Sequence, residues 1–125
     1  MAGDVKRSSR VGAMLAKELA LLLAREINDP RAAFVAVTRV KLSDDLLVAK
    51  VFVRLIKDGD REERRKEALK GLARASGVLR KEASRRLGLR RAPELTFEYD
   101  EGQDDMTRIE SLLEEVKAEE RARSK

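Results

Sequence analysis

Between Arg61 and Arg91 the chain carries twelve Lys and Arg against four Asp and Glu, at helical spacing. Lys66, Lys70 and Arg74 recur every four residues and so share one helix face, and Lys81 and Arg85 lie roughly opposite the Leu79/Ala83 stripe. Cations ranked along a helix face neutralise an extended polyanion, and phosphate is the natural counter-charge. Catalysis is poorly served. The 125 residues include no His and no Cys, which removes the usual general base, the usual zinc ligands and the usual strong nucleophile together. Ser8, Ser9, Ser43 and Ser76 have no base beside them in sequence, and none sits in a Gly-x-Ser-x-Gly elbow. No phosphate-cradling glycine pattern occurs. Asp44-Asp45 and Asp104-Asp105 read as turn formers and caps rather than as a cation site. The expectation is a binding protein that is not an enzyme, with no cofactor, no metal and no small-molecule substrate.

The distribution of charge says more than its formal sum of +5. Met1–Asp60 carries +3, Arg61–Arg91 carries +8, and Ala92–Lys125 carries −6. A merely solvated surface has no need of such segregation, so the central excess points to nucleic acid, and the acidic end cannot share that contact. The length fits one domain, and 42% hydrophobic residues with 3% aromatic give an aliphatic core. MAGDVKRSSR lacks the apolar region of a signal peptide, and no apolar run approaches a membrane span. A cytoplasmic monomer with no membrane partner is expected.

The elements that position these cations follow from periodicity. Residues 1–8 read as a flexible lead-in, with Ser8 or Ser9 as N-cap. Val11, Met14, Leu15, Leu19, Leu22, Leu23 and Ile27 then mark an amphipathic helix that Asn28-Asp29-Pro30 stops. Phe34–Leu42 alternates as a strand with Phe34, Ala36, Thr38, Val40 and Leu42 on one face, and Ser43-Asp44-Asp45 turns it into a second strand from Leu46 to about Ile56. That pair is an antiparallel hairpin, with Leu47, Ala49, Val51, Val53 and Leu55 sharing a face. Its less apolar face carries Arg39, Lys41, Lys50 and Arg54, for which ordinary solvent exposure is the simpler account. Glu62–Leu87 reads as two helices. Glycine and serine both disfavour a helix interior, so Ala75-Ser76-Gly77 marks a kink or junction between them. Glu94–Tyr99 alternates as a third strand, and Thr107–Glu110 forms a capping box ahead of a last helix through Ile109, Leu112, Leu113 and Val116. The resulting division is a lead-in at 1–8, a domain at 9–100, and a loop, helix and charged tail at 101–125.

The order helix, strand, strand, helix, helix, strand resembles an α+β fold of the type II K-homology class, which receives single-stranded RNA beside its helix pair. Particular stretches sharpen the likeness: Arg10-Val11, Glu26-Ile27-Asn28-Asp29-Pro30-Arg31, Val37-Thr38-Arg39-Val40 with Ser43-Asp44-Asp45-Leu46, Ala49-Lys50-Val51-Phe52-Val53, Leu79-Arg80, and Pro93 through Asp100. Together, over about Ser9 to Leu113, they resemble the bacterial ribosome-binding factor A family. The resemblance implies an assembly factor that binds the immature small ribosomal subunit through its ribosomal RNA. It also implies a role in late maturation and RNA end processing that matters most in the cold. Ala75-Ser76-Gly77 matches that family's Ala-x-Gly kink, and no Gly-x-x-Gly clamp is present, so shape-based electrostatic contact with folded RNA is the expected mechanism. The expected contacts are Lys70, Arg74, Arg80, Lys81, Arg85, Arg86, Arg90 and Arg91, followed by Arg10, Lys50 and Arg54. A protein-interaction module and a non-specific nucleic-acid-binding protein are the competing readings. With Gly77 at a strained bend, Gly77→Ala is expected to destabilise the domain and weaken its association with the small subunit, whereas in one continuous helix the same change would stabilise it by about 0.5 to 1 kcal/mol.

Overall fold

The apolar series that begins at Val11 forms helix α1, Ala2–Arg25, in a computed structural model that describes residues 2–101 and 116, 118, 119, 121 and 122. Leu15, Leu19 and Leu22 are its buried stripe, at spacings of four and three. The helix starts at Ala2, so Ser8 and Ser9 are not its N-cap, and Ser8 is buried within its second turn. Asp29 instead caps a short 3-10 helix, Pro30–Ala32, its carboxylate accepting from Arg31 N at 2.9 Å, Nε at 3.1 Å and Nη2 at 2.7 Å.

Strands β1 (Val35–Leu42) and β2 (Val48–Leu55) pair antiparallel, with Val35 opposite Leu55 and Leu42 opposite Ala49. A bulge falls at Thr38, because Val37 faces Val53 while Arg39 faces Phe52. The bulge changes which residues look inward: Val35 and Val37 pack on the core before it, Val40 and Leu42 after it. The single alternating face expected for Phe34 through Leu42 is thereby corrected. Phe34 lies outside the strand, with φ of 64° and 56% exposure. Asp100, itself buried, fixes the bulge by accepting from Thr38 Oγ1 at 2.6 Å. Strand β3, Glu94–Tyr99, lies parallel to β2 with Val48 opposite Glu94, giving the sheet order β1-β2-β3.

Parallel neighbours need a long crossover, and helix α2, Glu62–Leu87, supplies it. It is one unbroken helix of 26 residues, so the expected kink at Ala75-Ser76-Gly77 does not divide it. Its buried residues Ala68, Leu72, Leu79 and Ala83 stand 4, 7 and 4 apart, and eleven residues from Ala68 to Leu79 make just over three whole turns, so the apolar stripe stays in phase across the tripeptide. A glycine costs about 1 kcal/mol, whereas burying each leucine returns about 1.5 to 3 kcal/mol. Packing wins. Ser76 satisfies its hydroxyl within the helix by donating to the Ala73 carbonyl at 2.7 Å. Both helices cover the same face of the sheet, and Leu15, Leu19, Leu22, Ala49, Val51, Val53, Leu72, Leu79 and Leu95 join in one core cluster. No helix among the described residues is long and apolar enough to cross a membrane. The capping box at Thr107–Glu110 and the stripe of Ile109, Leu112 and Leu113 lie outside the described residues.

Two glycines of α2 give opposite expectations. A β-carbon at Gly77 would have nothing within 4 Å and Gly77 has no left-handed φ, so Gly77→Ala should raise stability by about 0.5 to 1 kcal/mol. At Gly71 the added carbon would stand 2.9 Å from Arg31 Cβ and 3.3 Å from Ala32 N, so Gly71→Ala should cost about 1 to 3 kcal/mol by forcing the 3-10 helix off α2. Urea unfolding of both variants reads the two signs. Acid titration tests the cap: Arg31's side-chain hydrogen bonds first, then its backbone N–H, lower Asp29 from 3.8 to about 2. A folded-state value below the unfolded one stabilises above about 3.8 and is lost as pH falls towards about 2, so Asp29→Asn should flatten stability over that window.

Candidate nucleic-acid interface

The periodicity that fixes the core of α2 also fixes its outer side. Lys70, Arg74, Lys81 and Arg85 repeat the 4, 7, 4 spacing of the buried stripe two residues later, and two residues turn a helix by about 200°. All four are exposed, on a ridge about 22 Å long pointing away from the core. Gly77 lies midway along it and leaves the backbone bare. Among the described residues, Lys70, Arg74 and Lys81 have no carboxylate at ion-pair distance. Arg85 does, donating from Nη2 to Glu82 at 2.8 Å; this bond lowers the Glu82 carboxyl and raises the Arg85 guanidinium. Its side chain stays 66% exposed, so water screens the pair and leaves it free to exchange partners.

Gly88 ends the helix in the left-handed conformation, φ 64°, and turns the chain back so that Leu89 N donates to the Ser84 carbonyl at 2.9 Å. Arg80 then holds the returning segment, donating from Nε and Nη2 to the Ala92 carbonyl at 3.1 and 2.8 Å. Arg80, Lys81, Arg85 and Arg90 consequently line one open hollow. Arg90 also borders a second hollow of about 370 Å³, with Arg7, Arg91 and the apolar Val11, Leu46, Leu89 and Pro93. The cationic band thus bends around the end of α2 and reaches the start of α1.

Not every expected contact joins this band. Arg86 turns inward between the helices, donating to Glu26 Oε1 at 2.6 Å with Glu18 Oε2 at 3.9 Å. Lys50 and Arg54 project from the sheet face that the helices leave uncovered, and Lys50 lies 3.7 Å from Glu98. Arg10 is exposed on α1, opposite its buried stripe. Ala75 and Ser76 are partly buried helical residues within the unbroken α2. Arg7 is a member that sequence reasoning misses; its spacing of four from Val11 is the available signal, hidden when the helix is started too late. Asp45 serves the hairpin turn, accepting from Ser43 Oγ at 2.6 Å and Leu47 N at 3.1 Å.

The fold and this surface define an α+β domain with a row of exposed cations along one face of a long crossover helix. The model of the family "Ribosome-binding factor A" matches residues 7–113, and the chain belongs to that family. Ribosome-binding factor A from Sorangium cellulosum (strain So ce56) is 49% identical over 117 residues, covering 94% of each chain. The crystal structure of ribosome-binding factor A from Thermus thermophilus superposes with a TM-score of 0.63 at 34% identity, covering 74% of this chain and 94% of that one. A homology model of the Thermus thermophilus factor, fitted into a cryo-EM map of its 30S complex, gives a TM-score of 0.59 at 32% identity over 73% and 92%.

Arg85 and Arg86 are neighbours with different roles in this geometry. Arg86→Ala should lower stability by up to about 1 kcal/mol, because it releases a contact between the two helices. Arg85→Ala should leave urea unfolding within about 0.5 kcal/mol of wild type. Equal losses in the two variants would show that Arg86 does not tie the helices together.

Proposed function

We propose that the chain binds the small ribosomal subunit during its biogenesis, touching ribosomal RNA through the ridge of α2. What carries this reading is family membership together with a relative seen in complex with the 30S subunit. On this chain it is supported by Lys70, Arg74 and Lys81, which have no carboxylate at ion-pair distance among the described residues. The mechanism is electrostatic. Each ammonium or guanidinium group that meets a phosphate releases a condensed counterion, so affinity falls steeply with salt. Arg80, Arg90 and Arg91 extend the contact around the helix end, while Arg86 contributes by fixing α2 on α1. The element order supports a K-homology-like relationship in which the two helices are continuous. Late maturation, RNA end processing, a role greatest in the cold, and action as a cytoplasmic monomer without catalysis complete the proposal.

Co-sedimentation with small subunits over a range of salt concentrations tests it. Replacing Lys70, Arg74, Lys81 and Arg85 together by Gln should weaken binding by about tenfold or more at low salt and flatten the logarithmic salt slope by about 3. Urea unfolding should stay near the wild-type midpoint, since all four side chains are exposed. Wild-type affinity and slope in that variant would remove the ridge from the interface.

A further inference from the structure

The face of the sheet turned away from α1 and α2 holds a second cationic surface. Arg39 and Lys41 of β1 stand across from Phe52 and Lys50 of β2, and Arg54 lies one strand-pair step further along. The Arg39 guanidinium carbon sits 4.2 Å from the centre of the Phe52 ring, so the phenyl group supports a planar cation whose other side is open. Lys41 and Lys50 are directly opposed like charges, an arrangement that destabilises a strand pair. Lysine on an edge strand guards against aggregation, and that accounts for Lys41 on β1. It does not account for Lys50 and Arg54, which lie on the central strand. Compensation is partial: Glu94 and Glu98 of β3 alternate onto the same face, and Glu98, 3.7 Å from Lys50, is the one carboxylate at ion-pair distance of these cations among the described residues. A sheet that gives up stability to gather cations around a supported guanidinium plane matches a ligand with phosphates and flat bases. Bases stack on aromatic rings and on arginine planes in single-stranded RNA recognition.

We propose that this open sheet face is a second RNA-contacting surface, which stacks an unpaired base on the Arg39–Phe52 pair and seats adjoining phosphates on Lys41, Lys50 and Arg54. The α2 ridge points away from the sheet across the core, so a single straight duplex cannot lie along both surfaces. The domain therefore joins two RNA segments, one folded on the ridge and one unpaired on the sheet. The proposal rests on the reading that the chain binds small-subunit RNA, and its test separates the two.

Two measurements on the full chain decide it. In co-sedimentation with small subunits, replacing Lys41, Lys50 and Arg54 by Gln should weaken binding and flatten the salt slope by about 2 to 3, with urea unfolding unchanged or improved. A short oligoadenylate carrying one 2-aminopurine should lose fluorescence on binding the wild-type chain. Arg39→Gln should weaken that binding by about fivefold or more, and the four-residue ridge variant should leave the quench in place. A sheet variant that sediments like wild type, beside a ridge variant that does not, overturns this proposal alone. Weaker sedimentation at an unchanged salt slope also overturns it, because it assigns the sheet face to a protein. A quench lost in the ridge variant and kept in Arg39→Gln would place the unpaired strand on α2.

Discussion

The burial of four small and medium side chains, Ala68, Leu72, Leu79 and Ala83, governs this molecule, since each is at most 1% exposed and each lies on one line of α2. That line ties the helix to α1 and to the sheet at the same time. It also decides how the surface is charged, because the sequence repeats the same spacing with cations two positions later. Moving the helix in phase by one residue would bury the flank of the ridge and expose the flank of the stripe. Core and cationic face are thus one choice, made by a single period.

That same burial explains where sequence reasoning stopped. Ala75-Ser76-Gly77 has the local chemistry of a break, and a local argument finds one. Whether it becomes a break depends on whether the residues on each side can be buried by one straight element, which is a question about α1 and β3 rather than about three residues. The hairpin shows the complementary case. Its strands and antiparallel pairing are legible from β-branched alternation, and β2 buries Ala49, Val51, Val53 and Leu55 as the alternation requires. The inward face of β1 is not legible. One unpaired residue at Thr38 reverses the phase, and its partner, Asp100, is 62 positions away.

For the surface, periodicity was sufficient wherever one helix set the answer. Lys70, Arg74, Lys81 and Arg85 need only the helical repeat to be placed outside. Arg86 needs more: an exposed-looking cation next to Arg85 is drawn inward because Glu18 of α1 and Glu26, just past the end of α1, face it. Arg80 is partly engaged too, with the Ala92 carbonyl. Charge counting treats these arginines alike, whereas the fold sorts them into those that hold elements together and those left exposed.

That sorting is itself a functional argument. Around α2 the carboxylates are spent at contacts between or within elements: Glu26 and Glu18 on Arg86, Glu67 on Arg64, Glu82 on Arg85. Paired surface ions contribute little to stability, so their placement costs the fold almost nothing and can be set by other demands. Part of what the pairing leaves uncompensated is grouped. It collects on the middle of the α2 ridge and, across the core, on the open side of the hairpin. Self-repulsion within each group disfavours the compact state, and a polyanion seated on either group would relieve it.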